Sequence, residues 1–517
     1  MQTYTIAAGL VAFVVGLRLY ASAGKSKLPL PPGPKGLPLI GNLLDMPRTL
    51  EWQTYHKWAK ELKSDIIYVN VAGTSLVVLD SLEACKDLLD KRSTNYSSRP
   101  RMPMLIELMG YGFLVAIMEY GERWRQHRRL IHQALNPAAA STITLPPTLK
   151  AARNVLGRFL EKPNDIMGNL RHMTGEAIIS IAYGLDVLPE NDPYIHLAEK
   201  ANEGPVEAVV PGAFLVDMLP FLKYVPAWVP GAGFQKKAAK WKALGQAMIN
   251  VPFEKTKENM RAGICPPCLT STCLAEMEHG AADVAYSEEN IKNAAGTLYS
   301  VGADTTLSIV GSCVLALIDH PEVVKKAQLE LDKVIKPGHL PDFNDQPSLP
   351  YITAIVKEGL RWNDAVPMGV PHLIEVEDEY KGHRLPARSI VIANSWAILH
   401  DEKLYPDPFT FNPDRFMKGD SLDPNVQDPG EACWGFGRRI CPGRHMAFST
   451  IWIAIASLLT VYDIRKQVDE DGNAIENNHE YVSNITYSPK PFVGSITPRS
   501  KEAENLIRSF AWQSAIC

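Results

Sequence analysis

Features that would assign the chain to several common classes are scarce or missing. Its 517 residues include only 8 Cys, which are scattered, so a disulfide scaffold is excluded and a reducing compartment is expected. With 53 Lys and Arg against 57 Asp and Glu the net charge is −4, and no long basic block occurs, so nucleic acid is not an expected partner. Beyond residue 50 no internal repeat, low-complexity linker or glycine-rich nicotinamide or flavin fingerprint is visible, and one large domain is the simplest prediction. What is present, 46% hydrophobic and 21% charged residues, is typical of a chain that buries a large core.

The first residues of the sequence predict a membrane anchor. The apolar run 6–17 reaches the roughly 20 residues of a membrane span when it is extended to residue 24. Basic residues follow the run and none precedes it, so the positive-inside rule leaves the rest of the chain in the cytosol. A cleaved signal peptide is the alternative, because Ala21-Ser22-Ala23 is typical of a cleavage site. We therefore predict an anchor over residues 1–24, a proline-rich hinge over 25–50 and a globular domain over 51–517.

The globular part is predicted to be mainly α with small β-sheets. Most windows have helical periodicity, and β-like runs occur only at 66–71, 76–79 and 389–393. Ser287 is the expected N-cap of a long helix that continues to Ile318 and ends before His320-Pro321. Near its middle, Gly302-Ala303-Asp304-Thr305-Thr306 interrupts the apolar pattern, which indicates either a functional site or a satisfied hydrogen-bond cluster in the core.

The residues with the strongest chemical signal surround one cysteine. Cys441 ends the run Trp434-Gly435-Phe436-Gly437-Arg438-Arg439-Ile440-Cys441, and an apolar, helix-like stretch follows at 446–459. A cysteine at a helix start is expected to have a lowered pKa, because the helix dipole and free amides stabilise the thiolate. Nearby glycines allow a flat cofactor to approach, and such a thiolate suits axial ligation of haem iron. The alternative is a small cysteine packed in the core.

A second signal is a pair of opposite charges on an apolar helix. Glu358 and Arg361 are three residues apart and share a helix face, so they can pair. A buried pair needs further partners to offset desolvation, and Arg415 is the candidate for a bidentate third member.

The order and spacing of these motifs resemble the cytochrome P-450 superfamily over essentially the whole chain. The details are similar to membrane-bound eukaryotic members of fungal secondary metabolism, and Trp124-Arg125-Gln126-His127-Arg128 looks like the family's haem-propionate helix. The resemblance implies the cytochrome P-450 fold behind an N-terminal transmembrane helix, with haem b as cofactor and Cys441 as its iron ligand. The other roles that it implies are propionate donors at Trp124, Arg128, His372 and Arg439, a structural triad of Glu358, Arg361 and Arg415, and a proton-delivering pair of Asp304 and Thr305.

The implied activity is that of a haem-thiolate monooxygenase. It would insert one atom of O2 into an apolar organic substrate, such as a secondary metabolite, terpenoid, steroid or polycyclic aromatic. Electrons would come from NADPH through a separate reductase, with cytochrome b5 as a second candidate partner, and Arg438, Arg439 and Arg444 would face an acidic partner surface. The implied location is the endoplasmic reticulum membrane, with a single span and a cytosolic catalytic domain. The alternatives are a haem-thiolate isomerase or dehydratase that needs no O2, and a haem-binding sensor without turnover.

Three residues depart from the family pattern. Val301 stands where Ala or Gly is usual and is expected to crowd the oxygen pocket. Trp434 replaces Phe and adds an N–H donor near the sulfur, and a hydrogen bond to sulfur would raise the iron potential. Asp364 stands where Pro is common, and is interpreted either as a solvated turn residue or as a contact for a polar substrate group.

The remaining expectations concern the substrate cavity and three minor motifs. Substrate contacts are expected in residues 102–113, 298–306, 365–370 and 482–487. Cys265-Pro266-Pro267-Cys268, with Cys273 nearby, resembles half a zinc site, but no second pair with matching spacing follows. The glycosylation sequons at Asn95 and Asn484 would be used only in the lumen, so a cytosolic domain leaves them unmodified.

Overall fold

Helices form most of the structure, which is a computed structural model that describes residues 28–210, 212–280, 285–483 and 486–514. The predicted anchor, residues 1–24, lies outside the described residues, as does Asn484. The helices in the described ranges are α1 (Glu51–Leu62), α2 (Leu82–Cys85), α3 (Ser93–Tyr96), α4 (Glu122–Leu135), α5 (Pro137–Ile143), α6 (Leu145–Glu161), α7 (Ile166–Tyr183), α8 (Pro193–Ala208), α9 (Leu215–Met218), α10 (Gly233–Arg261), α11 (Leu269–Glu278), α12 (Glu288–Asp319), α13 (Pro321–Val334), α14 (Pro350–Trp362), α15 (Ser395–Leu399), α16 (Gly430–Cys433), α17 (Arg444–Val461) and α18 (Lys501–Ser514). Shorter helical turns are Lys86–Lys91, Pro103–Leu108, Pro220–Tyr224, Phe343–Ser348, Pro413–Phe416 and Gly437–Arg439.

Short strands form small sheets beside the helices. They are β1 (Ile66–Val71), β2 (Thr74–Leu79), β3 (His372–Leu373), β4 (Asp378–Tyr380), β5 (His383–Leu385), β6 (Ile390–Ala393), β7 (Met417–Lys418), β8 (Ser421–Leu422), β9 (Tyr462–Arg465), β10 (Tyr481–Ser483), β11 (Tyr487–Pro489) and β12 (Ser495–Pro498). The largest sheet among the described residues has the order β1-β2-β6-β3, in which β2 is antiparallel to β1 and parallel to β6. The mainly helical fold with small sheets is therefore confirmed, and the three β-like runs correspond to β1, β2 and β6.

The long helix α12 passes through the core and organises the packing around it. Its 32 residues begin after Ser287, whose hydroxyl accepts from the Asn290 amide as the predicted N-cap, and they end at Asp319. The helix packs against α4, α7, α10 and α17. By length and composition α12 and α17 could each span a membrane, but 72% of the most apolar 18-residue stretch of each helix is buried inside the protein. Both are therefore core helices in this structure.

The described part of the predicted hinge is bound to the globular domain. The Tyr68 amide donates to the carbonyl of Pro32 at 2.9 Å, and the Arg384 amide donates to the carbonyl of Pro29 at 2.8 Å. The Asn42 amide donates to the Asn70 carbonyl in β1 at 2.6 Å. The described part of the hinge is therefore joined by backbone hydrogen bonds to β1 and β5.

Candidate active site

Cys441 lies in a loop between α16 and α17 that backbone contacts hold closed. The Cys441 amide donates to the Trp434 carbonyl at 2.7 Å. Gly435 and Gly437 have φ angles of 74° and 54°, a region that favours glycine. A side chain at Gly437 would clash with the carbonyl oxygen of Leu89. The glycines therefore let the loop turn back and pack closely on the Lys86–Lys91 segment.

Cys441 is half-buried, and desolvation by the surrounding protein is the largest influence on the acidity of its thiol. Burial raises the pKa of the thiol, whereas the Gly443 amide and the guanidinium groups of Arg128 and Arg444 act in the opposite direction. The lowered pKa predicted from a helix-start position is therefore not found. The reason is that α17 begins only at Arg444, after Cys441, and desolvation outweighs the nearby donors. A coordinated metal ion deprotonates a thiol outright, so ligation does not require a low pKa beforehand.

Trp434 does not place its N–H on the sulfur. Its Nε1 lies 3.2 Å from the position of a Cβ built on Gly430, so the indole edge faces the start of α16. Across the described ranges, no hydrogen bond joins Trp434 Nε1 to Cys441 Sγ. The predicted increase in iron potential through this donor therefore has no basis in the structure.

Two arginines near this loop are buried without a carboxylate partner among the described residues. Arg99 and Arg439 are 4% and 9% exposed. The Arg99 guanidinium donates to the carbonyls of Ala116, Val370 and Pro371. The Arg439 guanidinium donates to the carbonyls of Ser97, Val115 and Met118. Burial lowers the pKa of Arg439 to about 9 and that of Arg99 well below its ordinary value, with neighbouring arginines adding to both effects. Buried cations are costly unless an anion joins them, so a cofactor with two carboxylates, such as haem b, fits this donor set.

Two other predicted propionate donors lie beside these arginines. The Arg439 guanidinium carbon is 4.6 Å from the centroid of the Trp124 ring. The Trp124 indole N–H has no hydrogen-bond partner in the part of the chain that the structure describes, so it is available as a donor. Arg128 donates to the carbonyl of Ile440, the residue before Cys441. The structure therefore brings Trp124, Arg128 and Arg439 together around the cysteine loop.

His372 is buried near the same arginines but is poorly suited to donate. Its Nδ1 donates to the Tyr96 carbonyl at 2.7 Å. Burial, and then the charge of Arg99, lower the pKa of His372 well below its ordinary value, so the ring is neutral. A neutral ring that donates through Nδ1 has only an acceptor at Nε2. The geometry therefore favours Arg99 over His372 as a donor to an anionic group.

Arg99 was not predicted from the sequence, and one of the three arginines predicted to form the docking surface is buried. Ser98-Arg99-Pro100 carries no chemical pattern, and the burial of Arg99 arises only when residues 116 and 370–371 fold over it. Of the three arginines predicted to face an acidic partner, Arg438 is exposed and Arg444 is half-buried. Arg439 is buried, so it does not contribute to a docking surface.

Glu358, Arg361 and Arg415 form one buried network, as the motif spacing predicts. Arg361 donates to the two carboxylate oxygens of Glu358 at 2.7 and 2.8 Å, and both side chains are fully buried. Arg415 Nε and the Asn412 amide donate to Glu358 Oε1 at 3.1 and 2.8 Å. The two arginines also donate to carbonyls of Leu399, Pro406, Asp407, Pro408 and Thr410. The network therefore joins α14 to the irregular segment that leads to the cysteine loop.

The polar residues at the middle of α12 contact different partners. Asp304 pairs with Arg171 of α7 at 3.1 Å, and the cavity beside this pair has a volume of about 510 Å³. The Thr305 hydroxyl donates to the Val301 carbonyl one turn earlier at 3.0 Å. Val301 is 38% exposed, so its side chain lies at a surface or cavity rather than in the core. Asp304 and Thr305 are thus adjacent in sequence, and their side chains do not bond each other.

Asp364 is buried, so the interpretation as a solvated turn residue is wrong. It is 2% exposed and accepts hydrogen bonds from the Ser395 hydroxyl and from the Val366 amide. Burial raises the pKa of Asp364 to about 6, and these two hydrogen bonds oppose the shift. Its carboxylate therefore fixes the start of residues 365–370 from inside the protein.

Three of the four segments predicted to contact substrate meet at α12. The Thr297 hydroxyl donates to the Phe113 carbonyl at 3.0 Å, which joins residues 102–113 to the helix. The Ser308 hydroxyl donates to the Tyr487 carbonyl at 2.6 Å, and the Tyr487 amide donates to the Ala365 carbonyl at 2.9 Å. These contacts reach α12 at Thr297 and Ser308, on either side of residues 298–306, and residues 365–370 are joined to them through Tyr487.

One protein family and several individual proteins are similar to nearly the whole chain. The sequence model of the cytochrome P-450 family matches residues 31–492. Cytochrome P-450 monooxygenase 98 of Postia placenta is 45% identical over 500 residues, which cover 96% of this chain and 96% of that protein. Cytochrome P-450 monooxygenase ple1 of Rhodocybe pseudopiperita is 44% identical over 490 residues, covering 94% and 93%. Tryptamine 4-monooxygenase of Psilocybe cyanescens is 40% identical over 499 residues, covering 95% and 98%.

Proposed function

The chain belongs to the cytochrome P-450 family and is a monooxygenase, and from this premise we propose that it oxidises an apolar secondary metabolite at a cytosolic membrane surface. It inserts one atom of O2 into the substrate and receives electrons from NADPH through a separate reductase. The observation that carries the proposal is the placement of one half-buried thiol, Cys441, beside buried cations that have no carboxylate partner among the described residues.

Family members carry haem b with a cysteine thiolate as axial ligand, and when bound this group supplies the reductive activation of O2. Cys441 is the proposed ligand, and Arg99, Arg128, Arg439 and Trp124 are the proposed partners of the propionates. The positive φ angles of Gly435 and Gly437 let the loop turn back and hold Cys441 in position. The network of Glu358, Arg361 and Arg415 holds the segment that leads to the cysteine loop, and this is proposed to keep the thiolate in place.

The centre of α12 is proposed to move protons and to exclude bulk water. Asp304 is linked through Arg171 to the cavity of about 510 Å³ and so has contact with solvent. Thr305 holds a hydroxyl that is both a donor and an acceptor at the next position of the helix. Asp304 is proposed to take up protons from solvent, and the Thr305 hydroxyl is proposed to hold a proton at the neighbouring position.

The substrate is proposed to be apolar, because the segments that meet at α12 offer little charge. Residues 298–306 and 365–370 contain one charged side chain, Asp304, and it is paired with Arg171. Glu107, in the Pro103–Leu108 turn, is paired with Arg101 and Lys223. A ligand that fits between these segments therefore gains mainly from burial of its own apolar surface.

Membrane attachment is proposed from the N-terminal apolar run and from a separate exposed apolar segment. In residues 215–228 the exposed side chains include Phe221, Tyr224 and Trp228, at 63%, 77% and 81% exposure. Aromatic side chains of this kind are favoured at membrane interfaces. The segment thus supplies a second contact with the bilayer beside the proposed anchor.

The test is the carbon monoxide difference spectrum of the dithionite-reduced membrane fraction. The native protein is expected to give the strongly red-shifted Soret band of a thiolate-ligated haem, and Cys441→Ser is expected to lose it. Cys433→Ser is the matched control, because Cys433 is likewise a half-buried thiol, lies close by in the sequence and is not assigned to the iron. A band retained in Cys441→Ser would disprove the ligand assignment.

The reaction is tested with a purified reductase and a substrate found by screening. NADPH consumption that depends on the reductase and yields a product with one added oxygen supports the proposal. Thr305→Ala is expected to lower the product formed per NADPH at least tenfold. Thr306→Ala is the control, because the Thr306 hydroxyl makes the same bond one turn back, to the Gly302 carbonyl at 2.9 Å. Equal coupling in the two variants would refute the proton-delivery role.

A further inference from the structure

The loop between α10 and α11 holds two cysteines that the monooxygenase reaction does not use. Cys265-Pro266-Pro267-Cys268 ends at the N-cap of α11, where the Cys268 sulfur accepts from the Ser271 amide at 3.3 Å. The described ranges contain no group of three or more His, Cys, Asp or Glu side chains positioned to hold a metal ion. The pair therefore has no further ligands for the zinc site that its spacing resembles.

A short series of contacts connects the two sulfur atoms. Cys265 Sγ lies 3.4 Å from the Pro266 carbonyl oxygen. The Ser271 hydroxyl lies 3.1 Å from that same oxygen and 3.2 Å from Cys268 Sγ. The two intervening prolines each have a fixed φ, so the loop loses little conformational freedom when the sulfurs approach each other.

The two thiols differ in exposure and in acidity. Cys265 is half-buried, whereas Cys268 is buried. The Cys268 thiol, and then the Ser271 hydroxyl, lower the pKa of the Cys265 thiol to about 7 against the opposing effect of burial. The neighbouring Cys265 thiol and burial raise the pKa of Cys268. An accessible, more acidic thiol beside a buried one is the arrangement in which the first thiol attacks and the second resolves.

Cys268 is held in place by the surrounding helices, so formation of a disulfide requires Cys265 to move toward it. A Cβ built on Gly184, at the end of α7, would lie 3.3 Å from Cys268 Sγ. The Thr270 hydroxyl in the first turn of α11 donates to the Ala182 carbonyl at 2.7 Å. Closure of the pair therefore requires movement of the exposed loop and leaves the helical packing in place.

We propose that Cys265 and Cys268 form a reversible thiol–disulfide site that reacts with small disulfides such as glutathione disulfide. The Cys265 thiolate attacks one sulfur of glutathione disulfide, forms a mixed disulfide and releases one glutathione thiolate. The Cys268 thiolate then attacks the Cys265 sulfur, forms the intramolecular disulfide and releases the second glutathione. The two thiol protons pass to the two glutathiones, and the two electrons lost by the pair reduce glutathione disulfide.

The test uses the full-length haem-loaded protein in detergent, equilibrated in buffers of defined glutathione to glutathione disulfide ratio. Free thiols are trapped with a maleimide, and peptides are analysed by mass spectrometry. The peptide that contains both cysteines is expected to lose both maleimide additions together, with the dependence on ratio of a two-electron couple. Maleimide additions that persist on both residues at every ratio would overturn the proposal, as would a stable mixed disulfide without closure.

Two variants assign the order of the steps. Cys268→Ser is expected to stop as a mixed disulfide on Cys265, whereas Cys265→Ser is expected to remain reduced. In Cys268→Ala, which removes the hydrogen-bond donor, the pH midpoint of Cys265 alkylation is expected to rise by about one unit or more, toward that of a free cysteine. Cys517→Ser serves as the control and is expected to leave the joint oxidation of Cys265 and Cys268 unchanged. An unchanged alkylation profile in Cys268→Ala, or oxidation of Cys265→Ser at the same ratio as the native protein, would contradict the assignment. The carbon monoxide spectrum of each variant verifies that the domain is folded.

Discussion

At the scale of single residues, the site is dominated by charges that the fold removes from water. Arg99 and Arg439 are buried with backbone carbonyls as their partners, and His372 lies beside them as a neutral ring. Carbonyl dipoles offset only part of the free-energy cost of burying a cation. An anion bound beside these arginines would offset the rest of that cost. Charge therefore distinguishes Arg99 and Arg439, which are proposed to bind the cofactor, from the neutral His372, which packs beside them.

The first prediction compares Arg99 with His372. Arg99→Gln is expected to weaken haem binding by roughly 2 kcal/mol, or about thirtyfold, because it would remove the charge-assisted hydrogen bond proposed between Arg99 and a propionate. His372→Gln is expected to change haem binding by less than about threefold, because its one strong donor already serves Tyr96. Arg99→Lys retains the charge and is expected to recover most of the affinity. The measurement is the rate of haem transfer to excess apomyoglobin, and faster loss from His372→Gln than from Arg99→Gln would contradict the assignment.

The second prediction follows from the buried carboxyl of Asp364. Its pKa is raised from the ordinary 3.8 to about 6, so the native state holds this proton more tightly than the unfolded state. The group therefore contributes full stability below pH 3.8, and this contribution is lost as the pH rises through about 6. The total loss is roughly 3 kcal/mol, of which roughly half falls between pH 5 and pH 8.

Asp364→Asn is expected to remove this dependence and to be more stable than the native protein at pH 8. The Ser395 hydroxyl is able to accept from the new amide, since it also has the Pro367 carbonyl at 2.9 Å to donate to. The free energy of unfolding is measured in urea at pH 5 and at pH 8. Asp420→Asn, in the exposed turn between β7 and β8, is the control. Equal pH dependence in Asp364→Asn and the native protein would exclude a raised pKa at this site.

The sequence predicts those residues whose chemistry depends on local spacing. Cys441 with its glycines, and Glu358 with Arg361, are recognisable because their partners lie within one loop or one helix turn. Arg99 and Asp364 acquire their environments from contacts with distant segments, at residues 370–371 and 395. Nothing in their neighbouring sequence encodes those contacts, so their burial could not be predicted.

At the scale of elements, the buried triad is a joint between α14 and an irregular segment. Boundaries of α12, β1, β2, β6 and α17 follow from caps, prolines and hydrophobic periodicity, and the sequence predicted them closely. The segment from residue 400 to the cysteine loop has no such periodicity. Its course is instead fixed by the carbonyls that accept from Arg361 and Arg415. Order in this segment is therefore a tertiary effect that hydrophobic patterning does not reveal.

The third prediction tests this joint. Arg361→Ala leaves the Glu358 carboxylate buried with one remaining arginine, and is expected to cost about 3–5 kcal/mol of stability. The matched control is Lys255→Ala, which breaks an exposed pair of the same spacing, with Glu258 at 3.1 Å, and is expected to cost less than about 1 kcal/mol. The loss of the thiolate-type carbon monoxide band is followed in urea. Similar urea midpoints for the two variants would mean that the triad does not stabilise the cysteine loop.

At the scale of the whole molecule, the N-terminal region has two parts with different roles. Pro32 and Asn42 of the predicted hinge are joined to β1 by backbone hydrogen bonds. The proposed anchor precedes them. The exposed aromatic side chains in residues 215–228 form a separate apolar surface. Attachment to a membrane is thus proposed to have one strong and one weak component.

The last prediction separates these components. Deletion of residues 1–24 is expected to leave the carbon monoxide spectrum intact and to convert firm membrane attachment into reversible binding. Adding Phe221→Ser and Trp228→Ser removes side chains that are 63% and 81% exposed, each worth roughly 2 kcal/mol in apolar contact, so binding of the truncated protein to vesicles is expected to fall more than a hundredfold. Val376→Ser, at a residue with 68% exposure outside this segment, is the control and is expected to leave binding unchanged. Vesicle sedimentation measures each case. Truncated protein that binds equally well with and without the aromatic pair would show that this segment does not face the bilayer, and loss of the spectrum on deletion would show that the anchor also supports the fold.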